Sequence, residues 1–153
     1  IMKKIALIVF AIFCFSNMYA QEKVSFGLTL NHVALSVKDL NNSADFYQNV
    51  FGLKEIINRT KKDGIRWFSL GEDKELHLLA VVPGEIKTNK AVHFALTSSN
   101  FDEFIKSLNT SHIKYFNWDG EEHTITTRAD GIKQVYLQDP DSYWIEVNSA
   151  QMK

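Results

Sequence analysis

Two histidines with matching neighbours are the residues of this sequence best suited to chemistry. His32 lies in NHVALSV and His93 in VHFALTS, so a His-x-Ala-Leu-Ser/Thr pattern occurs twice in otherwise apolar segments. Alternation along a strand would put each histidine on a face with only small neighbours, while bulky apolar residues share the opposite face. A face lined by small residues leaves room beside an imidazole, which favours a cavity. The alternative is a buried histidine satisfied by a single hydrogen bond.

Two further polar residues interrupt apolar strand segments, His77 in ELHLLAV and Glu146 in YWIEVNS. A carboxylate buried between Ile145 and Val147 without a partner would cost several kcal/mol, and a bound metal ion would remove that cost. Three imidazoles and one carboxylate suit a divalent transition metal that keeps positions open for water or substrate. For Glu146 the alternative is an edge strand that faces solvent.

The elements that must position these four residues follow the same order twice. Residues 28–82 and 90–149 each read as strand, helix and then further short strands, separated by turn residues at Pro83-Gly84. Asp39, Asn41 and Ser43 offer side chains to cap the first helix, and Gly52 marks its end. This internal repeat indicates two similar modules in one chain.

Residues 1–20 are typical of a secretory signal peptide. Lys3 and Lys4 precede an apolar run over residues 5–15, and Ala20 supplies a small residue for cleavage. The apolar run is shorter than the roughly 18 residues that a membrane span needs. We therefore expect a cleaved leader and an exported protein, periplasmic or secreted, that is not held in the membrane.

Composition narrows the remaining classes. Cys14, the single cysteine of the chain, would leave with the leader, so the mature protein would have neither disulfides nor thiolate ligands. The formal net charge is −1 and no basic block occurs, which argues against nucleic acid as a partner.

Taken together, several segments resemble the vicinal oxygen chelate superfamily, which includes glyoxalase I, extradiol dioxygenases, fosfomycin-resistance enzymes and bleomycin-resistance proteins. The segments are NHVALSVKDL with SADFYQNVFGL, then ELHLL, AVHFALT and QDPDSYWIEV. The resemblance implies an α+β fold over residues 28–149, with two tandem βαβββ modules (28–82 and 90–149) forming a curved mixed sheet around a metal cavity.

The resemblance also implies a ligand set for one divalent ion, which would be Zn, Ni, Co, Mn or Fe. His32, His93 and Glu146 match the superfamily's triad of two histidines and a glutamate. His77 falls at a fourth ligand position, where glyoxalase I usually has glutamate. Glu146 is then the only carboxylate of the set, and it is the predicted catalytic base. Ser142 also departs from the family, which commonly has glycine at that turn.

Contacts to a substrate are harder to place from the sequence. Arg66, Trp67 and Arg128 are candidates, because arginine recognises carboxylates with two hydrogen bonds and tryptophan stacks on flat ligands. For an isolated arginine on a strand, a solvent-exposed surface position is the alternative.

The sequence is compatible with three functions. The first is a lyase or isomerase of the glyoxalase I (lactoylglutathione lyase) type, which moves a proton through a metal-stabilised enediolate. The second is an Fe(II) extradiol-type dioxygenase, and the third is a non-enzymatic protein that binds a small molecule, as in bleomycin resistance. Every one of these functions has a small-molecule ligand. Many relatives pair modules across a dimer, so we also expect a homodimer.

Overall fold

A computed structural model describes residues 27–81 and 83–151 of the 153-residue chain. The segment Asn31–Lys153 forms one compact unit, and of the unit before it, Ile1–Leu30, residues 27–30 are described and contain no helix or strand. The predicted signal peptide, residues 1–20, lies outside the described residues. Within the described part of the chain, no helix has the length and apolar character needed to cross a membrane.

The two modules have the same order of elements, and each forms its own four-stranded mixed sheet. Module one contains β1 (His32–Ser36), α1 (Leu40–Phe51), β2 (Glu55–Ile56), β3 (Ile65–Gly71) and β4 (Lys74–Leu79), with sheet order β1-β4-β3-β2. Module two contains β5 (His93–Thr97), α2 (Phe101–Thr110), β6 (Thr126–Thr127), β7 (Lys133–Gln138) and β8 (Trp144–Asn148), with sheet order β5-β8-β7-β6. The predicted α+β fold of tandem βαβββ modules is confirmed.

The strand register brings equivalent residues of the two modules to equivalent places. In module one, β1 runs parallel to β4 and pairs Ala34 with His77. In module two, β5 runs parallel to β8 and pairs Ala95 with Glu146. The small alanine of each histidine strand therefore lies beside the polar residue of the last strand. β1 and β5 are edge strands of their sheets.

The strand faces that carry bulky apolar side chains pack into the core of the protein. Leu35 and Val37 of module one, and Ile145 and Val147 of module two, belong to one buried apolar cluster that includes residues of both modules. Burying a side chain of this size contributes about 1.5 to 3 kcal/mol. Because these faces form the core, the opposite faces of β1 and β5 point to solvent, and both histidines and their alanine neighbours are exposed.

The helices join the modules. The Asp39 side chain accepts hydrogen bonds from the first backbone N–H groups of α1, and Gly52 ends that helix in the left-handed conformation, as predicted. Phe51 of α1 stacks on Phe104 of α2 with ring centroids 5.9 Å apart. The modules thus meet through their helices, while the histidine-bearing sheet faces lie on the other side of each sheet.

A buried polar network adds a second link between the modules. The Tyr47 hydroxyl on α1 donates to Oδ2 of Asp139 at 2.8 Å, and the Ser43 hydroxyl donates to Oδ2 of Asp141 at 2.9 Å. Oδ1 of Asp139 accepts from the backbone N–H groups of Asp141 and Tyr143, which closes the turn after β7. Burial raises the pKa of Asp139, and these hydrogen bonds oppose the rise.

Several predicted strand segments are shorter in the structure. In LKEIINRT only Glu55–Ile56 is a strand, and in TITTRA only Thr126–Thr127. HIKYFNW forms no strand, although Phe116 makes isolated bridges to Tyr136 and Glu122. These segments lie at or beyond the outer edges of the sheets. Each can therefore pair with a strand on one side only, which limits the length of strand that forms.

Candidate metal centre

In module two, His93 and Glu146 form a pair with the features of two metal ligands. Nδ1 of His93 lies 2.8 Å from the backbone oxygen of Lys90. A carbonyl can only accept, so Nδ1 carries the hydrogen, and in the neutral imidazole Nε2 keeps a lone pair for a metal. Nε2 lies 3.5 Å from Oε2 of Glu146, close to the roughly 3.4 Å expected for two ligands at tetrahedral positions around one ion. The pair fits a divalent metal.

Neighbouring side chains hold Glu146 in place. Oε2 accepts from the Tyr136 hydroxyl and Oε1 accepts from Nδ2 of Asn148, each at 2.8 Å. The Tyr136 oxygen in turn accepts from Nε2 of Gln134. Burial raises the pKa of Tyr136, so the phenol stays protonated and keeps donating. Supporting contacts of this kind orient ligands and tune metal affinity.

In module one, His32 and His77 stack face to face. Their ring centroids are 4.3 Å apart with an interplanar angle of 14°, and Trp67 stacks on the other face of His77 at 4.1 Å. Nδ1 of His32 lies 2.8 Å from Oδ1 of Asn31. An amide oxygen can only accept, so His32 resembles His93 in keeping Nε2 available.

His77 differs from the other two histidines because its Nε2 is already engaged. It lies 2.7 Å from Oε2 of Glu75, whose other oxygen accepts from Arg59 at 2.6 Å. The bond from His77, reinforced by Arg59, lowers the pKa of Glu75 and keeps it ionised. The Arg59 guanidinium also lies over the Trp67 ring, 4.7 Å from its centroid. An Arg59–Trp67–His77–His32 stack results.

The structure thus gathers the four predicted ligands into two pairs, His32 with His77 and His93 with Glu146. Among residues 27–81 and 83–151, no group of three His, Cys, Asp or Glu side chains converges closely enough to hold a metal ion. Within this chain, the triad of His32, His93 and Glu146 is therefore not assembled.

The predicted substrate contacts occupy different settings. Trp67 belongs to the stack beside His77. Arg66 makes two hydrogen bonds to the Glu55 carboxylate at 2.8 and 2.7 Å, and Arg128 pairs with Asp130 at 2.6 Å. Both arginines already have a carboxylate partner, and their role toward a substrate stays a prediction.

Several supporting residues were not found from the sequence, among them Glu75, Lys90, Tyr136 and Asn148. A signal for two of them was present, since Glu75 and Asn148 stand two residues from His77 and Glu146 on the same strand face. Tyr136 requires the register of β7 with β8, in which it pairs with Glu146. Lys90 acts through its backbone oxygen, which the residue type does not reveal.

Comparison with known proteins identifies the superfamily to which this chain belongs. A profile of the Glyoxalase/Bleomycin resistance protein/Dioxygenase superfamily matches residues 29–147, and the chain belongs to that superfamily. The chain is also similar to the metallothiol transferase FosB of Staphylococcus saprophyticus, with 24% identity over 130 residues covering 82% of this chain and 79% of FosB.

Solved structures share the fold. A glyoxalase family protein from Bacillus anthracis has a TM-score of 0.68 and 22% identity, covering 84% of this chain and all of its own. Lactoylglutathione lyase from Agrobacterium tumefaciens has a TM-score of 0.63 and 21% identity, covering 82% of this chain and 96% of its own. At this level of identity the likeness establishes the fold, and the reaction must be argued from the site.

Proposed function

We propose that the protein is a metal-dependent enzyme that binds one divalent ion through His32, His93 and Glu146. The observation that carries this proposal is the His93–Glu146 pair, with a free Nε2 facing a carboxylate oxygen 3.5 Å away and both side chains fixed by further hydrogen bonds. His32 offers a third ligand of the same kind. The ion would act as a Lewis acid toward a small molecule that binds through two neighbouring oxygen atoms.

The arrangement supports a site shared between two copies of the chain. His32 lies on the edge strand β1, and His93 on the edge strand β5, and both strands expose their histidine faces. The modules of one chain meet through their helices and through the bonds from the first helix to the turn after β7, so the exposed histidine faces are free to meet a second copy. In the homodimer that we propose, His32 of one copy completes the site formed by His93 and Glu146 of the other.

We assign the ion three protein ligands and leave His77 outside the set. Nε2 of His77 bonds to Glu75, and its ring lies between those of His32 and Trp67. From this position His77 supports the ring of His32. His77→Gln should therefore leave the metal stoichiometry unchanged, whereas loss of the ion in that variant would restore the four-ligand set.

Addition or transfer of a nucleophile is the reaction that the site favours. A glyoxalase-type lyase would need Glu146 to take up and release a proton, whereas in this proposal its oxygens already hold the metal ion and the hydrogen bonds from Tyr136 and Asn148. Addition of a thiol or water to a polarised substrate does not require that base. Similarity to a protein named metallothiol transferase supports the same choice.

Metal analysis of the purified protein is the first test. We expect about one divalent ion per chain in the wild type and loss of that ion in His93→Ala and Glu146→Gln. His112→Ala, which removes an exposed histidine at a turn, is the matched control and should keep the metal. A wild-type protein that binds no ion at stoichiometric level would overturn the proposal.

Reaction assays on the metal-loaded protein then separate the chemical classes. Fosfomycin with cysteine, glutathione or water alone, followed by phosphorus NMR, tests addition. Isomerisation of the hemithioacetal of methylglyoxal and glutathione tests the lyase, and oxygen uptake with catechol tests the dioxygenase. Isomerisation of the hemithioacetal that requires Glu146 as a base, together with no addition to fosfomycin, would favour the lyase over the addition reaction.

Export is part of the proposal. The supporting feature is the basic, apolar and small-residue order of residues 1–20. Expression of the full chain in a bacterial host, followed by fractionation and mass measurement, should give a periplasmic protein that begins at Gln21. A full-length cytoplasmic product would contradict it.

A further inference from the structure

Trp118 is a large aromatic residue that the proposed metal chemistry leaves without a role. It is 49% exposed, and it lies beside the His93–Glu146 pair. Its ring centroid is 6.4 Å from that of His93 and 5.5 Å from that of Tyr136, the residue that donates to Glu146. In a single chain, half of the tryptophan surface is thus uncovered next to the candidate ligands.

The turn that carries Trp118 is firmly braced. Asn117 is 6% exposed, and its side chain bonds to both the backbone N–H and the carboxylate of Glu121. The Lys90 ammonium donates to the backbone oxygens of Asn117 and Trp118 at 3.0 and 3.1 Å. These contacts fix the backbone that carries the exposed ring, so little backbone conformational entropy remains to be lost when a ligand packs on the ring.

Lys90 connects the turn to the metal ligand. Its backbone oxygen accepts from Nδ1 of His93, while its side chain holds the Trp118 turn. The ammonium also lies over the rings of Trp144 and Tyr136, at 4.6 and 5.6 Å from their centroids. Carbonyl oxygens and aromatic faces therefore surround this ammonium, which holds the Trp118 turn next to Tyr136 and Trp144.

We infer that Trp118 forms an aromatic wall of the substrate site and selects substrates that carry a flat apolar substituent beside their two metal-binding oxygens. Lys90 is the positioning residue that holds this wall against His93. The inference rests on the proposed metal site and adds the chemical class of the substrate. An apolar substituent would pack on the open face of the indole, where offset stacking and burial both favour it.

Two hydroxamates test the inference, because both chelate a metal through neighbouring oxygens and they differ in one substituent. Binding of benzohydroxamate and acetohydroxamate to zinc-loaded wild type is measured by calorimetry. We expect the wild type to prefer the phenyl compound and Trp118→Ala to lower that preference about tenfold, through weaker phenyl binding alone. Trp118→Phe should retain most of the preference.

Variants at two other positions test the role of Lys90 and provide a control. Lys90→Met should reduce the phenyl preference without lowering the affinity for acetohydroxamate, since the backbone oxygen that holds His93 remains. Ile57→Ala removes an 82%-exposed apolar side chain that follows β2, at the far edge of the module-one sheet, and should change nothing.

Three outcomes overturn this inference and leave the proposed metal function standing. Trp118 does not contact the substituent if wild type and Trp118→Ala prefer the phenyl compound equally. The same conclusion follows if the wild type does not prefer the phenyl compound. A Trp118→Ala protein that sediments as a smaller species than wild type would show that Trp118 belongs to an interface between copies. Failure of acetohydroxamate to bind the wild type would instead refute the proposed metal function, and the inference with it.

Discussion

Tyr47→Phe removes one hydroxyl from the buried link between the modules and leaves the ring that fills the core. Tyr47 is fully buried, and Asp139, which accepts its hydrogen bond, is 5% exposed. A hydrogen bond to a charged group contributes about 1.5 to 3 kcal/mol, and the ring of phenylalanine avoids a cavity. We therefore expect the free energy of unfolding to fall by about 2 kcal/mol at neutral pH.

The free energy of unfolding that Tyr47→Phe loses should depend on pH, because Asp139 titrates. Burial raises its pKa in the native state, so the folded protein binds more protons than the unfolded chain. In the wild type this group makes stability fall as pH rises from the unfolded pKa, near 4, to the raised native pKa. Tyr47 stabilises the ionised form, so the Tyr47→Phe loss should be largest at neutral pH and smaller in acid.

Urea unfolding at pH 4.5 and pH 7 measures both effects. A loss of about 2 kcal/mol moves the midpoint by about 1 M for a typical denaturant slope. Tyr115→Phe is the matched control, a buried tyrosine whose hydroxyl makes no hydrogen bond to another described residue. An equal loss in both variants, or a Tyr47→Phe loss that grows toward acid pH, would refute this account of the link.

Three further substitutions have expected outcomes. Ser142 has φ of 71°, so Ser142→Gly should relieve left-handed strain and raise stability by about 1 kcal/mol, seen as a higher thermal midpoint. Tyr136→Phe deletes a donor to Glu146 and should weaken metal affinity at least tenfold by calorimetry without changing the secondary-structure spectrum. Gly64→Ala should lower the thermal midpoint, because φ is 76° and the new Cβ would lie 2.7 Å from Cγ1 of Val81; an unchanged midpoint would contradict that.

Sequence reasoning predicted the local features of the fold well, because they depend on neighbouring residues. Alternation in NHVALSV separates Leu35 and Val37, which are buried, from Ala34, which is exposed. The Asp39 cap and the Gly52 end of α1 follow from side-chain chemistry and backbone freedom. The helix and strand order of both modules was predictable for the same reason.

The arrangement of the candidate site was not predictable in this way. Periodicity shows which face of a strand carries His32 or His93, but it does not show which sheet that face will meet. That choice depends on contacts distant in sequence, such as the bond from Tyr47 to Asp139 across 92 positions. The braced Trp118 turn likewise depends on Lys90, 28 positions earlier in the chain.

A mixing experiment tests most directly whether two copies of the chain share the metal site. His32→Ala and His93→Ala are purified separately, unfolded together, refolded as an equal mixture and analysed for bound metal. Each variant alone should hold no stoichiometric ion. In a mixed dimer, one site contains both substitutions and the other contains neither, so random pairing should restore about one quarter of an ion per chain. A mixture that binds no more metal than its separate components would contradict a site shared between two copies.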